Sequence, residues 1–327
     1  MKRMLLTVLL VSLCVMGSTA AKKVYRRQIV KEFSVGARPE LALSNRFGEI
    51  RIVEGADRKI TVRVELRGEG KTDEEARRYA EAVNVDLSLS GNRVEGRTTF
   101  QKIICNNCGR AADFTVTAPR DVVLSLANQF GNIYINRATQ PLTVTVKYGD
   151  LYLKEASTAS VNVSFGKASI DRCAMLNLNS QYSSITLGTV GQLTGKTKFD
   201  GTYRIESVGR CTLTAGYTQI RIDRLSESCV VDKLRFSGLR IGEVARGFSE
   251  ISVKASYSEV HLGLTPGHAF RADLSASYGQ IHTGDLNIRS ADTRSGHTNQ
   301  LSGTAGASES PRARVSVTSS FGDIYLK

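Results

Sequence analysis

One row of side chains, repeated along the chain, holds the residues most suited to contact a ligand. Eleven short phrases share one form: an aromatic residue, two small or polar residues, then apolar, variable and apolar positions, as in YGDLYL at residues 148–153. The variable position should point outward, because neighbouring residues of a strand face opposite sides. Stacked repeats would gather these positions into one surface row, here called the ladder: Arg51, Tyr134, Tyr152, Ser169, Thr186, Arg204 (shifted by one extra residue), Arg221, Arg240, His261, His282 and Tyr325.

The ladder suits a surface that binds a glycan or another acidic polymer. Aromatic rings in a flat array stack on sugar rings, and basic side chains attract acidic groups. Outward strand positions also favour Tyr, Thr and Arg for cross-strand packing alone, so a ladder without a ligand remains an alternative. The candidate ligand-binding residues are Tyr134, Tyr152, Arg204, Arg221, Arg240, His261 and His282.

The titratable residues indicate neither a metal site nor a catalytic site. His261 and His282 are 21 residues apart and should stack in neighbouring repeats, but they lack a carboxylate partner for a metal. Enzymes that cleave polysaccharides need paired carboxylates or a basic residue in a groove. We therefore predict a chain that is not an enzyme and has no cofactor, with a degenerate carbohydrate-active enzyme as an alternative. The outward carboxylates lie at unequal offsets from the aromatics and form no cluster: Asp150, Asp171, Asp223 and Glu243.

The cysteines predict two disulfides. Cys105 and Cys108 lie close enough in sequence for a local disulfide, with free thiols or a zinc half-site as alternatives. Cys211 and Cys229 are 18 residues apart, which is one repeat, so they should stack and are candidates for a second bridge.

The first 21 residues predict export. A basic pair, an apolar run to residue 16 and small residues at 17–21 have the order of a signal peptide. Lipidation at Cys14 is disfavoured by the large Leu13 before it but stays open. No later segment is apolar over the length of a membrane span. The mature chain is therefore expected in the periplasm, at the outer membrane surface or outside the cell, and not across a membrane.

Charge favours acidic partners without naming one. The chain has 44 Lys and Arg against 31 Asp and Glu, a formal charge of +13. The basic residues are scattered through predicted strands rather than gathered in one run. Such a surface permits weak attraction to polyanions, and it gives no sign of specific nucleic-acid recognition.

The repeat itself predicts the fold. From Phe130 to Tyr278 the aromatic returns every 17–21 residues, and a second alternating strand precedes each phrase. A unit of this size cannot bury its own apolar face, so it must stack on its neighbours. The prediction is an all-β chain forming a single-stranded, parallel, right-handed β-helix, with a β-sandwich as the alternative. The aromatics should point inward, and the glycine that often follows them suits a corner of positive φ or a close approach of the backbone.

One domain, residues 22–327, is predicted after the signal peptide. Residues 54–120 separate the first phrase from the second and form a β-rich insertion. Thr72 and Glu75 form a capping box, which predicts a helix over about 73–83. Residues 287–312 are polar and are predicted to form a long loop. The final phrase should form a last repeat that caps the stack.

The repeated phrase resembles that of exported bacterial "putative adhesin" families. The resemblance covers nearly the whole chain after residue 21, and its specificity lies in the repetition. It implies export, a stacked β fold and an adhesion or surface-scaffold role, and it brings no catalytic residues. The matching segments are FGEI at 47–50, VTAP at 116–119, FGNI at 130–133, YGDL at 148–151, YGQI at 278–281 and FGDI at 321–324.

These observations predict a non-catalytic exported protein that binds a glycan or polyanion along a flat strand face. An envelope structural or signalling-accessory scaffold that binds another protein is the alternative from a different class. The identity of the ligand and the oligomeric state do not follow from the sequence.

Overall fold

The computed structural model describes residues 22–103, 109–308 and 310–327. The predicted signal peptide, Cys14 and the pair Cys105 and Cys108 lie outside the described residues. Within these residues the chain has one helix, α1 (Asp73–Glu81). It has 24 strands: β1 (Lys23–Ser34), β2 (Glu40–Asn45), β3 (Ile50–Gly55), β4 (Lys59–Gly70), β5 (Val83–Ser90), β6 (Arg93–Phe100), β7 (Gly109–Pro119), β8 (Val123–Gln129), β9 (Ile133–Ala138), β10 (Leu142–Lys147), β11 (Asp150–Ser164), β12 (Lys167–Gln181), β13 (Ser184–Lys198), β14 (Thr202–Gly216), β15 (Gln219–Arg235), β16 (Gly238–Val244), β17 (Glu250–Ser256), β18 (Glu259–Leu262), β19 (Phe270–Ser277), β20 (Ile281–His282), β21 (Ile288–Ser295), β22 (Thr298–Ala305), β23 (Ala313–Ser320) and β24 (Ile324–Leu326).

Successive repeats pair in parallel and in register. The segments that precede each aromatic form the first face, in which β8, β10 and the second halves of β11 to β15 are neighbours. The segments that follow each aromatic form the second face, which includes β3, β9 and the first halves of β11 to β15. Alternating Val, Ile and Leu side chains from both faces make one buried core. The all-β prediction with mostly parallel strands is confirmed, and closure into a right-handed β-helix stays a prediction.

The aromatic of each phrase points outward, so the prediction of an inward aromatic is wrong. From Phe130 to Tyr278, and at Phe321, this residue has a positive φ between 49° and 60°, which turns its side chain away from the core. Neighbouring rings then stack along the surface with centroids 4.7–5.2 Å apart. Stacking of about 0.5–1.5 kcal/mol per pair offsets part of the cost of a left-handed backbone, which is about 1–3 kcal/mol per residue. The result is one continuous aromatic row between the two faces.

The glycine after the aromatic is needed for close approach of the backbone, and Gly48 also has a positive φ of 107°. A Cβ on Gly149 would lie 2.1 Å from the carbonyl oxygen of Gly131 in the neighbouring repeat. The Asp or Asn that follows the glycine accepts a hydrogen bond from the next repeat: Asn132 Oδ1 from the Asp150 amide, and Asp150 Oδ1 from the Lys167 amide, both at 2.9 Å. The Gly-Asp/Asn phrase therefore links each repeat to the next.

The middle repeats make the same link with a different residue. The position after the aromatic is here occupied by Ser183, Asp200, Thr218, Ser237 and Ser258, all of which are buried. Each of the last four accepts a hydrogen bond from the main-chain amide at the same position in the preceding repeat, at 2.7–3.2 Å. A short polar side chain thus does in these repeats what Asp or Asn does after glycine.

The insertion at 54–120 closes one end of the stack. Strand β6 pairs with β2 on the first face, and β7 pairs with β3 on the second, both in parallel. The second face is then extended by β4 and β1 in antiparallel pairing. Helix α1, two residues shorter than predicted, begins after Thr72, whose Oγ1 accepts the Glu75 amide hydrogen at 3.1 Å.

The other end differs from the prediction in two ways. The last repeat, β23 and β24, is not the cap: it lies between the repeats of Tyr257 and Tyr278, and pairs in parallel with both. Residues 287–312 are not a loop throughout, because β21 and β22 form an antiparallel hairpin that extends the first face beyond β19. Strands β21 and β22 are joined by a short turn at Gly296, which has a φ of 58°. Antiparallel strands permit such a short connection, so a short segment is sufficient to add two strands at this end of the stack.

Candidate binding surfaces

The ladder residues lie in one row on the second face. Register pairs join each to the next, from Arg51 beside Tyr134 to Tyr325 beside His282. Ten of the eleven residues lie four positions after their aromatic, and Arg204, which lies five positions after Phe199, is still the register partner of Thr186 and Arg221. Whether the row binds a ligand stays a prediction.

Most ladder arginines are bound to carboxylates of their own face. The Asp223 carboxylate accepts hydrogen bonds from Arg221 Nε at 2.8 Å and from Arg204 Nη2 at 2.8 Å. These hydrogen bonds hold the pKa of Asp223 below its ordinary value of 3.8. The bond from Arg221 has the larger effect and the bond from Arg204 the smaller. Arg51 lies 3.6 Å from Glu49 and stacks over the Tyr134 ring, whereas Arg240 has no carboxylate within 4.0 Å in the described part of the chain.

The tyrosines and histidines of the ladder are also engaged with neighbours. Tyr134 and Tyr152 stack at 5.1 Å, and the Tyr152 hydroxyl donates to the Asp150 carboxylate, which raises the pKa of that phenol. His261 and His282 are not stacked on each other as predicted. The ring of Tyr325 lies between them, with centroid distances of 4.3 and 4.5 Å, because the last repeat enters the stack at this point.

The cysteines of neighbouring repeats meet in the core. Cys211 and Cys229 are register partners, both are buried, and their Sγ atoms are 2.9 Å apart without a bond between them. The hydrogen bond between the two thiols, together with burial, raises the pKa of Cys211. Burial also raises the pKa of Cys173, a third free thiol, to about 11. The Cys211 and Cys173 thiols are therefore poor nucleophiles at neutral pH. The predicted disulfide stays a prediction.

A groove on the first face gathers basic side chains that sequence reasoning did not single out. It has a volume of about 560 Å³ and runs beside the aromatic row, with Tyr217 and Phe236 on that side. We call it the basic groove. Its outward residues form two register rows: Asn162, Asn179, Lys196, Thr214 and Lys233 in one, and Ser164, Gln181, Lys198, Gly216 and Arg235 in the other.

The cations of the basic groove are exposed and unpaired. In the described part of the chain, Lys196, Lys198, Lys233 and Arg235 have no carboxylate within 4.0 Å. The Lys198 ammonium lies over the Phe199 ring, 5.1 Å from its centroid. The one carboxylate beneath this region, Asp200, is buried and accepts hydrogen bonds from neighbouring hydroxyls and an amide.

The spacing of the groove cations in the sequence could have predicted that they lie in the same rows. Lys-x-Lys at 196–198 and Lys-x-Arg at 233–235 both end directly before an aromatic, two repeats apart. The same offsets therefore had to align them on the first face. What the spacing does not reveal is that carboxylates reach the arginines of the second face and not these residues.

Metal binding and membrane spanning find no support in the described residues. Over 22–103, 109–308 and 310–327, no three His, Cys, Asp or Glu side chains are grouped so as to hold a metal ion. The helix α1 is the only one in these ranges, and it is too short and too polar to cross a bilayer.

Comparison with known proteins gives structural neighbours only. No family model and no curated protein matches the chain. A "putative cell adhesion protein" from Clostridium sporogenes is 10% identical, with 93% of this chain and 98% of that chain covered, at a TM-score of 0.21. A "putative adhesin" from Parabacteroides merdae is 13% identical, with 69% and 96% covered, at a TM-score of 0.37. A "putative lipid binding protein" from Parabacteroides distasonis is 12% identical, with 72% and 93% covered, at a TM-score of 0.34.

Proposed function

We propose that this chain is an exported, non-catalytic, adhesin-like protein, folded as a right-handed β-helix, whose basic groove binds an acidic glycan or another linear polyanion. One observation carries this proposal: four exposed cations of one groove have no carboxylate partner among the described residues. They are Lys196, Lys198, Lys233 and Arg235. An unpaired cation is free to bind an external anion, whereas a cation in an ion pair must first lose its partner.

The groove is favoured over the ladder on the same ground. Arg204 and Arg221 share Asp223, so their charge is largely neutralised before a ligand arrives. Stacking of the aromatic row also matters, because rings that face each other at about 5 Å expose their edges and not their faces. Ring edges carry partial positive charge, so the row adds a weakly attractive wall for an anion rather than a stacking surface for a sugar.

The described residues that line the groove give no support to glycoside hydrolysis. Glycoside hydrolysis requires two carboxyl groups about 5–10 Å apart. The described residues that line the basic groove are amides, hydroxyls, apolar groups and cations, with no carboxylate among them. The neutral residues Asn162, Asn179 and Gln181 are suited to hydrogen bonds with sugar hydroxyls.

A glycan and polyanion array on residues 22–327 at low and physiological salt tests the proposal. The groove variant replaces Lys196, Lys198, Lys233 and Arg235 by Gln, and the ladder variant is Tyr152→Ala/Arg221→Ala/Arg240→Ala. We expect saturable binding to an acidic glycan that weakens with salt, is lost in the groove variant and is kept in the ladder variant. Loss in the ladder variant alone would return the site to the second face. Absence of binding to every glycan and polyanion would reject the function in favour of a protein partner.

A further inference from the structure

Gly216 leaves a gap in an otherwise continuous row of side chains. It is the only glycine at the position directly before the aromatic in the described repeats. Its φ is not positive, and a Cβ added to it would meet no heavy atom within 4 Å. Neither backbone conformation nor packing therefore requires glycine here. This contrasts with Gly149, where a Cβ would collide with a carbonyl oxygen.

The gap lies between two pairs of cations. Gly216 is the register partner of Lys198 on one side and of Arg235 on the other. In the adjacent outward row, Thr214 lies in the same way between Lys196 and Lys233. The cations on either side are two strand steps apart, about 9.6 Å. An anionic group that enters the gap can therefore be contacted from both sides, and a side chain at position 216 would fill the space.

We propose that the gap at Gly216 is the subsite for one carboxylate or sulfate group of a linear glycan that lies along the groove, parallel to the stack. This rests on the proposed function and narrows it. Lys198 and Arg235 contact the anionic group directly, while Lys196 and Lys233 flank it across Thr214. The edges of the Tyr217 and Phe236 rings form the wall on the side of the aromatic row.

The rest of the groove restricts the class of glycan. From Lys233 to Asn162 the groove covers four strand steps, about 19 Å, which is enough for several sugar units. The half around Gly216 is cationic, whereas the half around Asn162 and Asn179 presents amides, with the Asn179 Nδ2 donating to Asn162 Oδ1 at 3.1 Å. A chain with a charge on every sugar would leave anions over this neutral half. The preferred ligand therefore places neutral sugars beside an acidic one.

Isothermal titration calorimetry with defined oligosaccharides tests the subsite. The probes are a hyaluronan hexasaccharide, in which a uronic acid alternates with a neutral sugar, and a hexamer of galacturonic acid, which is charged throughout. The variants are Gly216→Ala and Gly216→Gln, with Gly201→Gln as the control, because a Cβ at Gly201 also meets nothing within 4 Å and Gly201 does not line the groove. Thermal unfolding of each variant checks that folding is unchanged.

We expect hyaluronan affinity to fall stepwise from Gly to Ala to Gln, by about tenfold or more for Gln, and to stay unchanged in Gly201→Gln. Equal affinity of the Gly216 variants and the parent would overturn the subsite while leaving the groove function intact. Tighter binding of the galacturonic acid hexamer than of hyaluronan would overturn the assignment of neutral sugars to the amide half. If neither probe binds the parent and no glycan or polyanion of the array binds it, the proposed function itself fails.

Discussion

Both outer faces of the stack carry Lys or Arg side chains, but among the described residues those of the second face are mostly in ion pairs and those of the basic groove on the first face are not. On the second face, Arg204 and Arg221 share the Asp223 carboxylate, and Arg137 and Arg172 share Glu155. On the first face, the cations of the basic groove have no such partner in the described part of the chain. Both sets lie in rows because the residues of each row keep nearly the same distance in sequence from the repeated aromatic.

The difference shows that a row of charges is not in itself a binding surface. A face that supplies its own counter-ions gains little from an external anion, because the new contact replaces an existing one. Exposed ion pairs contribute only modestly to stability, so their main effect here is on which face remains attractive to an acidic ligand. This comparison leads to four predictions.

The largest effect is expected from removing two charges in the groove. Lys198→Gln/Arg235→Gln should weaken hyaluronan binding by about 10- to 100-fold, which corresponds to about 0.7–1.4 kcal/mol for each lost contact. This is below the roughly 1.5–3 kcal/mol of a typical hydrogen bond to a charged group because both side chains are exposed to solvent. The matched control, Arg204→Gln/Arg221→Gln, changes the net charge equally and should alter affinity by less than about threefold. Calorimetric titration of both variants measures the contrast. Equal losses would mean that overall charge, not the groove, holds the ligand.

A smaller gain is expected from releasing the paired arginines. Asp223→Asn keeps the size of the side chain but removes the charge that Arg204 and Arg221 share. In the Lys198→Gln/Arg235→Gln background, this change should raise the affinity for dextran sulfate several-fold, about 1 kcal/mol. Binding at two salt concentrations checks that the new contact is electrostatic. No gain would show that the second face is inert for a reason other than ion pairing.

Acid pH should release the same arginines without mutation. Hydrogen bonds from Arg221 and Arg204 favour the charged Asp223, so its pKa lies below 3.8. The ion pair therefore contributes stability above that ordinary value and loses it as the pH falls through the lowered value. Dextran sulfate binding of the Lys198→Gln/Arg235→Gln chain, measured with and without the Asp223→Asn change, should differ at pH 7 and converge only below 3.8. Convergence near pH 5 would contradict the shift.

The smallest effect is expected at a ladder tyrosine. Tyr152→Phe removes the hydroxyl that donates to Asp150 but keeps the stack with Tyr134. Because the site is partly exposed, unfolding in urea should show a loss of less than about 1 kcal/mol, and hyaluronan affinity should not change. A marked loss of affinity would instead place this hydroxyl in a ligand site.

Some parts of this architecture could be predicted because they depend on spacing alone. The ladder is in register because strands that stack without a shift carry equal offsets into one row. The capping box of Thr72 and Glu75 is local, and α1 begins where it predicts. The side chain of the aromatic could not be placed by alternation, because a single positive φ reverses its direction and the sequence signal for that φ is weak in a non-glycine residue.

Other parts depend on contacts between distant segments. The last repeat entered the stack between the repeats of Tyr257 and Tyr278, so Tyr325 separated two histidines whose spacing predicted a stack. A polar segment became a hairpin because an open strand, β19, offered it hydrogen bonds. Amino-acid composition shows only that such a segment is polar and has few apolar residues. It does not show which strand of the sheet will pair with it.

The sequence by itself determined the repeat, its period and the rows into which equal offsets fall, since these follow from strand alternation and stacking distance. Only the tertiary structure decided which rows carry free charge. Whether a guanidinium or ammonium meets a carboxylate depends on distances of a few ångströms across repeats. Asp223 lies close enough to bind Arg204 and Arg221 on the second face. On the first face, no carboxylate of the described residues reaches Lys198 or Arg235, which lie on either side of the open space at Gly216.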